Sequence, residues 1–134
     1  MNVVLDANII VSGSLWGGNP GRVLDHCIAG KLTNWVSPEI IEELERVLSY
    51  EKFKLTREEI LSLVRLVVSF SKIVVPKERV HEVRKDPGDD KYLECALTCD
   101  ADAIISGDKH LLALCEYERI RIMTAKEILD ELKA

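Results

Sequence analysis

Apolar residues fall along this chain in two kinds of run. Residues 33–36, 72–75, 101–106 and 120–123, together with Val3-Val4-Leu5 near the start, are short, mostly apolar stretches bounded by turn formers. They are too short and too apolar to be half-exposed, so they predict strands buried on both faces. Between them the apolar positions recur at helical period. Ile40, Ile41, Leu44, Val47 and Leu48 form one such stripe, and Tyr92, Leu93, Ala96 and Leu97 form another. Strands alternating with helices imply parallel βαβ units with right-handed crossovers, so that all strand C-termini gather at one edge of a single sheet. The expected fold class is therefore α/β.

Punctuation residues place the boundaries. Residues 12–20, Ser-Gly-Ser-Leu-Trp-Gly-Gly-Asn-Pro, are rich in loop formers, and Asn19-Pro20 reads as the start of a helix over 20–29 that Gly30 ends. Ser37-Pro38 opens the next helix by the same logic. Thr56-Arg57-Glu58-Glu59 and Thr124-Ala125-Lys126-Glu127 are capping boxes. The first box starts a helix to about residue 70 that is apolar over much of its circumference, which predicts deep burial or a dimer surface. A short helix is expected over 109–115 and a terminal one to about residue 133.

Length and charge narrow the class. The 134 residues suffice for one domain, with no sign of a second. No apolar run approaches the roughly 18 residues of a membrane span. Asp6 interrupts the opening where a signal segment would be apolar, so a cytoplasmic protein is expected. The net charge of −5 argues against holding nucleic acid by bulk positive charge. It leaves room for a nuclease whose acids bind metal, because the ions reverse the local potential. Cys27, Cys95, Cys99 and Cys115 show no paired CxxC spacing and read as free thiols.

The acids carry the chemistry. Asp6 ends the first strand, with Asn8 two residues on, and Asp108 follows the fourth strand after Ser106-Gly107. Asp86-Pro87-Gly88-Asp89-Asp90 is an acid-rich turn just before a helix, so Asp89 or Asp90 can point along the sheet edge. Glu43 and Glu45 each lie about 100° from the centre of their apolar stripe, and geometry alone does not choose between them. Each acid also has a plainer use as a turn or helix cap. Four carboxylates from remote parts of the chain can nevertheless meet at one edge. Such a meeting is unfavourable unless a cation compensates it. Oxygen donors without clustered His or Cys favour Mg²⁺ or Mn²⁺ over zinc, and the natural chemistry of these ions is phosphodiester cleavage. Gly17-Gly18 lacks the spacing of a phosphate loop.

Four blocks of this sequence, taken in order, resemble the signature blocks of PIN domains. They are Val4-Leu5-Asp6-Ala7-Asn8-Ile9-Ile10-Val11-Ser12, Glu42-Glu43-Leu44-Glu45-Arg46-Val47-Leu48, Asp86-Pro87-Gly88-Asp89-Asp90-Lys91-Tyr92-Leu93-Glu94-Cys95-Ala96 and Ile105-Ser106-Gly107-Asp108-Lys109-His110-Leu111-Leu112. The branch they are most similar to is assigned as toxin components of type II toxin–antitoxin pairs. The resemblance implies a three-layer α/β/α fold around a parallel sheet of order 3-2-1-4-5, in one domain spanning residues 1–134. It also implies a Mg²⁺- or Mn²⁺-dependent ribonuclease, often a homodimer and often inhibited by a small antitoxin protein.

Matching block by block puts the family's metal-binding, catalytic acids on Asp6, Glu43, Asp90 and Asp108. Glu43 is taken over Glu45 because the family's acid directly precedes the Leu held here by Leu44. Asn8, Ser12 and Ser106 match polar positions near the site, and Asp86 and Asp89 match further acids of the branch. Gly88 departs from the pattern, since an acid is common there. Two other classes compete with this reading. One is a Mg²⁺-dependent phosphohydrolase using Asp6 as nucleophile, against which Asn8 counts because its usual second Asp is missing. The other is a non-catalytic module that binds RNA or protein.

Overall fold

In the computed structural model, which describes residues 1–79 and 87–133, six strands form one sheet. They are β1 (Asn2–Leu5), β2 (Thr33–Val36), β3 (Ser71–Ile73), β4 (Ala103–Ile105), β5 (Glu116–Tyr117) and β6 (Ile120–Met123). The order is β3-β2-β1-β4-β6-β5, parallel throughout except for β5 against β6. The five strands expected from the sequence thus lie in the order 3-2-1-4-5, with one short antiparallel edge added.

Seven helices cover the sheet among the described residues: α1 (Ala7–Trp16), α2 (Gly18–Ile28), α3 (Pro38–Leu48), α4 (Arg57–Phe70), α5 (Asp90–Thr98), α6 (Lys109–Leu112) and α7 (Ala125–Lys133). Side chains alternate across a strand, so the central strands feed two cores. Val3, Leu5, Ala103 and Ile105 pack with apolar residues of α1, α2, α3, α4 and α7. Val4 and Ile104 face the other way and pack with Ile40, with Tyr92, Leu93, Cys95 and Ala96 of α5, and with Leu111 of α6. This is the expected three-layer arrangement. Among the described residues no helix is long and apolar enough to cross a membrane.

Asn34 ties the strands together from inside. Fully buried on β2, its Oδ1 accepts from the Leu5 backbone N–H at 3.0 Å and its Nδ2 donates to Ser71 Oγ at 2.9 Å. Both capping boxes form, with the Thr56 and Thr124 hydroxyls accepting from the Glu59 and Glu127 amides. Ser37 Oγ likewise accepts from the Ile40 amide.

The stretch over 12–20 departs from expectation. Residues through Trp16 are helical, and α2 starts at Gly18 with Gly17 at its cap, ahead of Asn19-Pro20. Gly13 is there for close packing and not for a loop. A Cβ at Gly13 would lie 2.7 Å from Leu24 Cδ1 and 2.9 Å from the Pro20 backbone. Gly17 supplies the left-handed φ of +75° that turns α1 into α2. Gly13→Ala gains about 1 kcal/mol of helix propensity. It also meets a backbone that cannot swing aside, an overpacking cost of about 1–3 kcal/mol. A net loss of stability is expected, read as a lower urea midpoint at unchanged slope; an unchanged or raised midpoint would show slack between α1 and α2.

Of the two expectations for the helix over 57–70, deep burial along its length is not what the structure shows. Only Ile60 and Val67 are buried, and Leu66 is exposed.

Candidate active site

Strand register places the first two site residues. Leu5 pairs with Ile105 in the β1–β4 ladder, so the next residue on each strand, Asp6 and Ser106, stands beside its counterpart at the C-terminal lip. The Asp6 amide donates to the Ile105 carbonyl at 2.9 Å, and Ser106 Oγ donates to Asp6 Oδ2 at 2.7 Å. Both side chains are buried. Asp6 also caps α1, its Oδ1 accepting from the Asn8 amide at 3.0 Å.

Asp108 joins through the same serine. Its backbone N–H donates to Ser106 Oγ at 2.9 Å, while its Oδ1 accepts from the His110 and Leu111 amides at 2.7 and 3.1 Å. The plainer role of helix cap and a place at the lip therefore coexist in one residue.

Glu43 comes from α3, whose start is fixed by the Ser37 cap directly after β2. It turns toward the lip, where Oε2 accepts a hydrogen bond from the Tyr92 hydroxyl. Glu45 instead pairs with Arg57 of α4 at 2.7 Å. Two cations also hold Glu43. Lys91 Nζ lies 3.1 Å from Oε2 and Arg46 Nη2 3.2 Å from Oε1.

Tyr92 is the residue that sequence reasoning assigned only to the core. It is 1% exposed, and its hydroxyl accepts from the Ala7 amide at 3.1 Å while donating to Glu43. One phenol thus connects the residue after Asp6 to the acid on α3. The signal was available in principle, because a buried tyrosine hydroxyl requires a polar partner. Burial and the neighbouring Asp6 and Glu43 charges push its ionisation up, so Tyr92 is a neutral donor here.

The other expected residues among those described lie on α5, just before it, and on α1. Asp90 is buried at the first position of α5, on the helix that delivers Lys91 and Tyr92, and Asp89 is buried just before it. Asn8 is exposed on the first turn of α1, and Ser12 is half-buried one turn further on, along the same side of the helix. Asp86 lies outside the described residues.

The electrostatics centre on Asp6. Burial raises its pKa above the usual carboxylate range, and the Glu43 charge raises it further. The hydrogen bonds from the Asn8 amide, Ser106 and Tyr92 work in the opposite direction without cancelling the rise. The donors at this lip are carboxylate and hydroxyl oxygens, chemistry that suits a hard divalent cation. Among the described residues, no three His, Cys, Asp or Glu side chains stand close enough to enclose an ion as they are. The donor types fit, and closure around an ion requires side-chain movement.

A parallel α/β sheet whose first and fourth strands end in linked acids, with a third acid reaching in from the helix after β2, defines the class of fold. The PIN domain profile matches residues 2–110, and the chain belongs to the PIN domain family, whose members are generally nucleases. An uncharacterized protein of Methanocaldococcus jannaschii is 29% identical over 143 residues, covering 98% of this chain and 91% of that protein. Among solved structures, VapBC2 from Rickettsia felis, bound to a DNA fragment from its promoter, matches with a TM-score of 0.63. The match has 14% identity and covers 92% of this chain and 98% of the matched one.

Proposed function

We propose that this protein is a metal-dependent endoribonuclease that cuts single-stranded RNA and serves as the toxin of a toxin–antitoxin pair. The observation that carries the proposal is the gathering of three acids at one lip of the sheet: Ser106 links Asp6 to the Asp108 backbone, and Tyr92 links Glu43 to the amide of Ala7, the residue after Asp6. Burial and the nearby Glu43 charge both disfavour ionised Asp6, an imbalance that a divalent cation at this lip would relieve.

Asp6, Glu43, Asp90 and Asp108 would hold Mg²⁺ or Mn²⁺. When bound, such an ion supplies an activated water and neutralises charge at the phosphodiester, leaving a 5′-phosphate and a 3′-hydroxyl. The surrounding residues fix the donors. Ser106 orients Asp6 from one side and the Asn8 amide from the other, Tyr92 holds Glu43, and the α6 amides set Asp108. Single strands are favoured because unpaired RNA threads more readily into a narrow acidic lip than a duplex does.

The test is incubation of labelled single-stranded RNA with Mn²⁺ or EDTA, with analysis of the product ends. Internal scission that requires the metal supports the proposal; binding with no scission under any metal would favour the non-catalytic module. The fold likeness to VapBC2 and the exposed Leu66 of α4 motivate an antitoxin partner and a homodimer. Copurification with the product of an adjacent reading frame, followed by light-scattering mass, reads both. A lone monomer would count against them.

A further inference from the structure

Lys91 sits where a surface lysine would not. Its side chain is 15% exposed, its Nζ lies 3.1 Å from Glu43 Oε2, and that same oxygen accepts from Tyr92. Arg46, the other cation on Glu43, is 64% exposed and bonds the opposite oxygen, so solvent screens it far more. Lys91 is therefore the cation that chiefly neutralises the inner side of the acid pair.

We propose that Lys91 is a tethered counter-ion that occupies Glu43 in the metal-free protein and must leave it when a divalent cation binds. The inference rests on the reading of this lip as a cation site. Glu43 Oε2 has a limited set of lone-pair directions, and Lys91 and Tyr92 already take two. Metal binding thus carries the cost of separating Lys91 from Glu43, which lowers affinity and confines the closed site to high metal concentration or to the presence of substrate. A purely structural ion pair predicts the opposite. Losing it would loosen Glu43 and weaken metal binding.

Calorimetric titration with MnCl₂ separates the two. Lys91→Met is expected to tighten Mn²⁺ binding about fivefold, the scale of a partly buried ion pair. It is also expected to lower the thermal midpoint of the protein in EDTA. Lys91→Gln, which keeps a polar end, should tighten binding in the same direction and serves if the Met variant folds poorly. Arg46→Met should leave the dissociation constant within about twofold, since exposed pairs are worth little. In a Glu43→Gln background, Lys91→Met should have no effect on Mn²⁺ binding. Unchanged or weaker binding in the Lys91 variants, with the parent chain binding Mn²⁺ normally, would overturn the counter-ion role. Tightening that persists without Glu43 would overturn the specific contact. Absence of Mn²⁺ binding in the parent chain would overturn the cation site itself, a separate failure.

Discussion

Asp6→Asn is expected to reduce Mn²⁺-dependent RNA cleavage on the order of 10³-fold, the scale of losing a charged group that stabilises the reacting centre. The same substitution should raise the thermal midpoint in EDTA at neutral pH. Its cause is the position of Asp6, which is 2% exposed, is pushed above the ordinary carboxylate range mainly by burial, and faces Glu43. Because its folded pKa is raised, the folded state holds a proton that the unfolded chain has already released. Stability therefore falls as pH rises from the usual carboxylate range through the folded pKa. In the variant the new side-chain amide oxygen can still accept from the Asn8 backbone N–H, and no charge is left to bury. The gap between variant and parent should open with rising pH and close as acid protonates Asp6. Midpoints measured across that range in EDTA check the sign; a variant less stable than the parent at neutral pH would show that ionised Asp6 is already well compensated. Loss of activity together with gain of stability is the expected signature of a residue kept for function at the expense of the fold.

Tyr92→Phe removes one oxygen and almost no volume. The Ala7 amide loses its side-chain acceptor, and Glu43 Oε2 loses one of its two contacts and keeps Lys91. Leaving a buried donor unsatisfied costs about 1–3 kcal/mol. For a domain of this size that lowers the thermal midpoint by about 3–10 °C. Cleavage should fall about tenfold, because Glu43 loses the contact that holds it against the lip. Urea unfolding measures the first effect, and single-turnover cleavage at saturating Mn²⁺ measures the second. A variant with the parent's midpoint and rate would mean that the phenol only fills space.

Much of this architecture was legible because the two central strands, β1 and β4, are nearly pure apolar runs. Val3-Val4-Leu5 and Ala103-Ile104-Ile105 are buried without exception, and such runs imply parallel strands and a common C-terminal edge. Asp6 and Ser106 follow those runs directly, so their adjacency comes from register alone. The lateral order of strands came from the family resemblance, not from the periodicity. Glycines misled where they serve packing: Gly13 and Gly17 read as loop formers, yet they let α1 and α2 approach and turn. The β5–β6 hairpin was illegible for the reverse reason. Glu118 and Arg119 take positive φ at the turn, where Asn-Gly would have announced it. The α4 helix carries the apolar content of a buried element, but its burial depends on neighbours that pattern cannot supply. Tyr92 and Lys91 were hidden because each has an ordinary role by sequence, core aromatic and charged surface. Only the folded chain brings the phenol and the ammonium onto one oxygen of Glu43.

The most direct test of the central claim is anomalous scattering from crystals soaked in Mn²⁺. The account predicts a manganese peak about 2.1 Å from the Asp6 carboxylate, a separation typical of small hard cations. Glu43 and Asp108 should be drawn to the same ion, with Lys91 turned away from Glu43. Protein that cleaves RNA with Mn²⁺ yet shows no manganese at Asp6 in fully soaked crystals would contradict it.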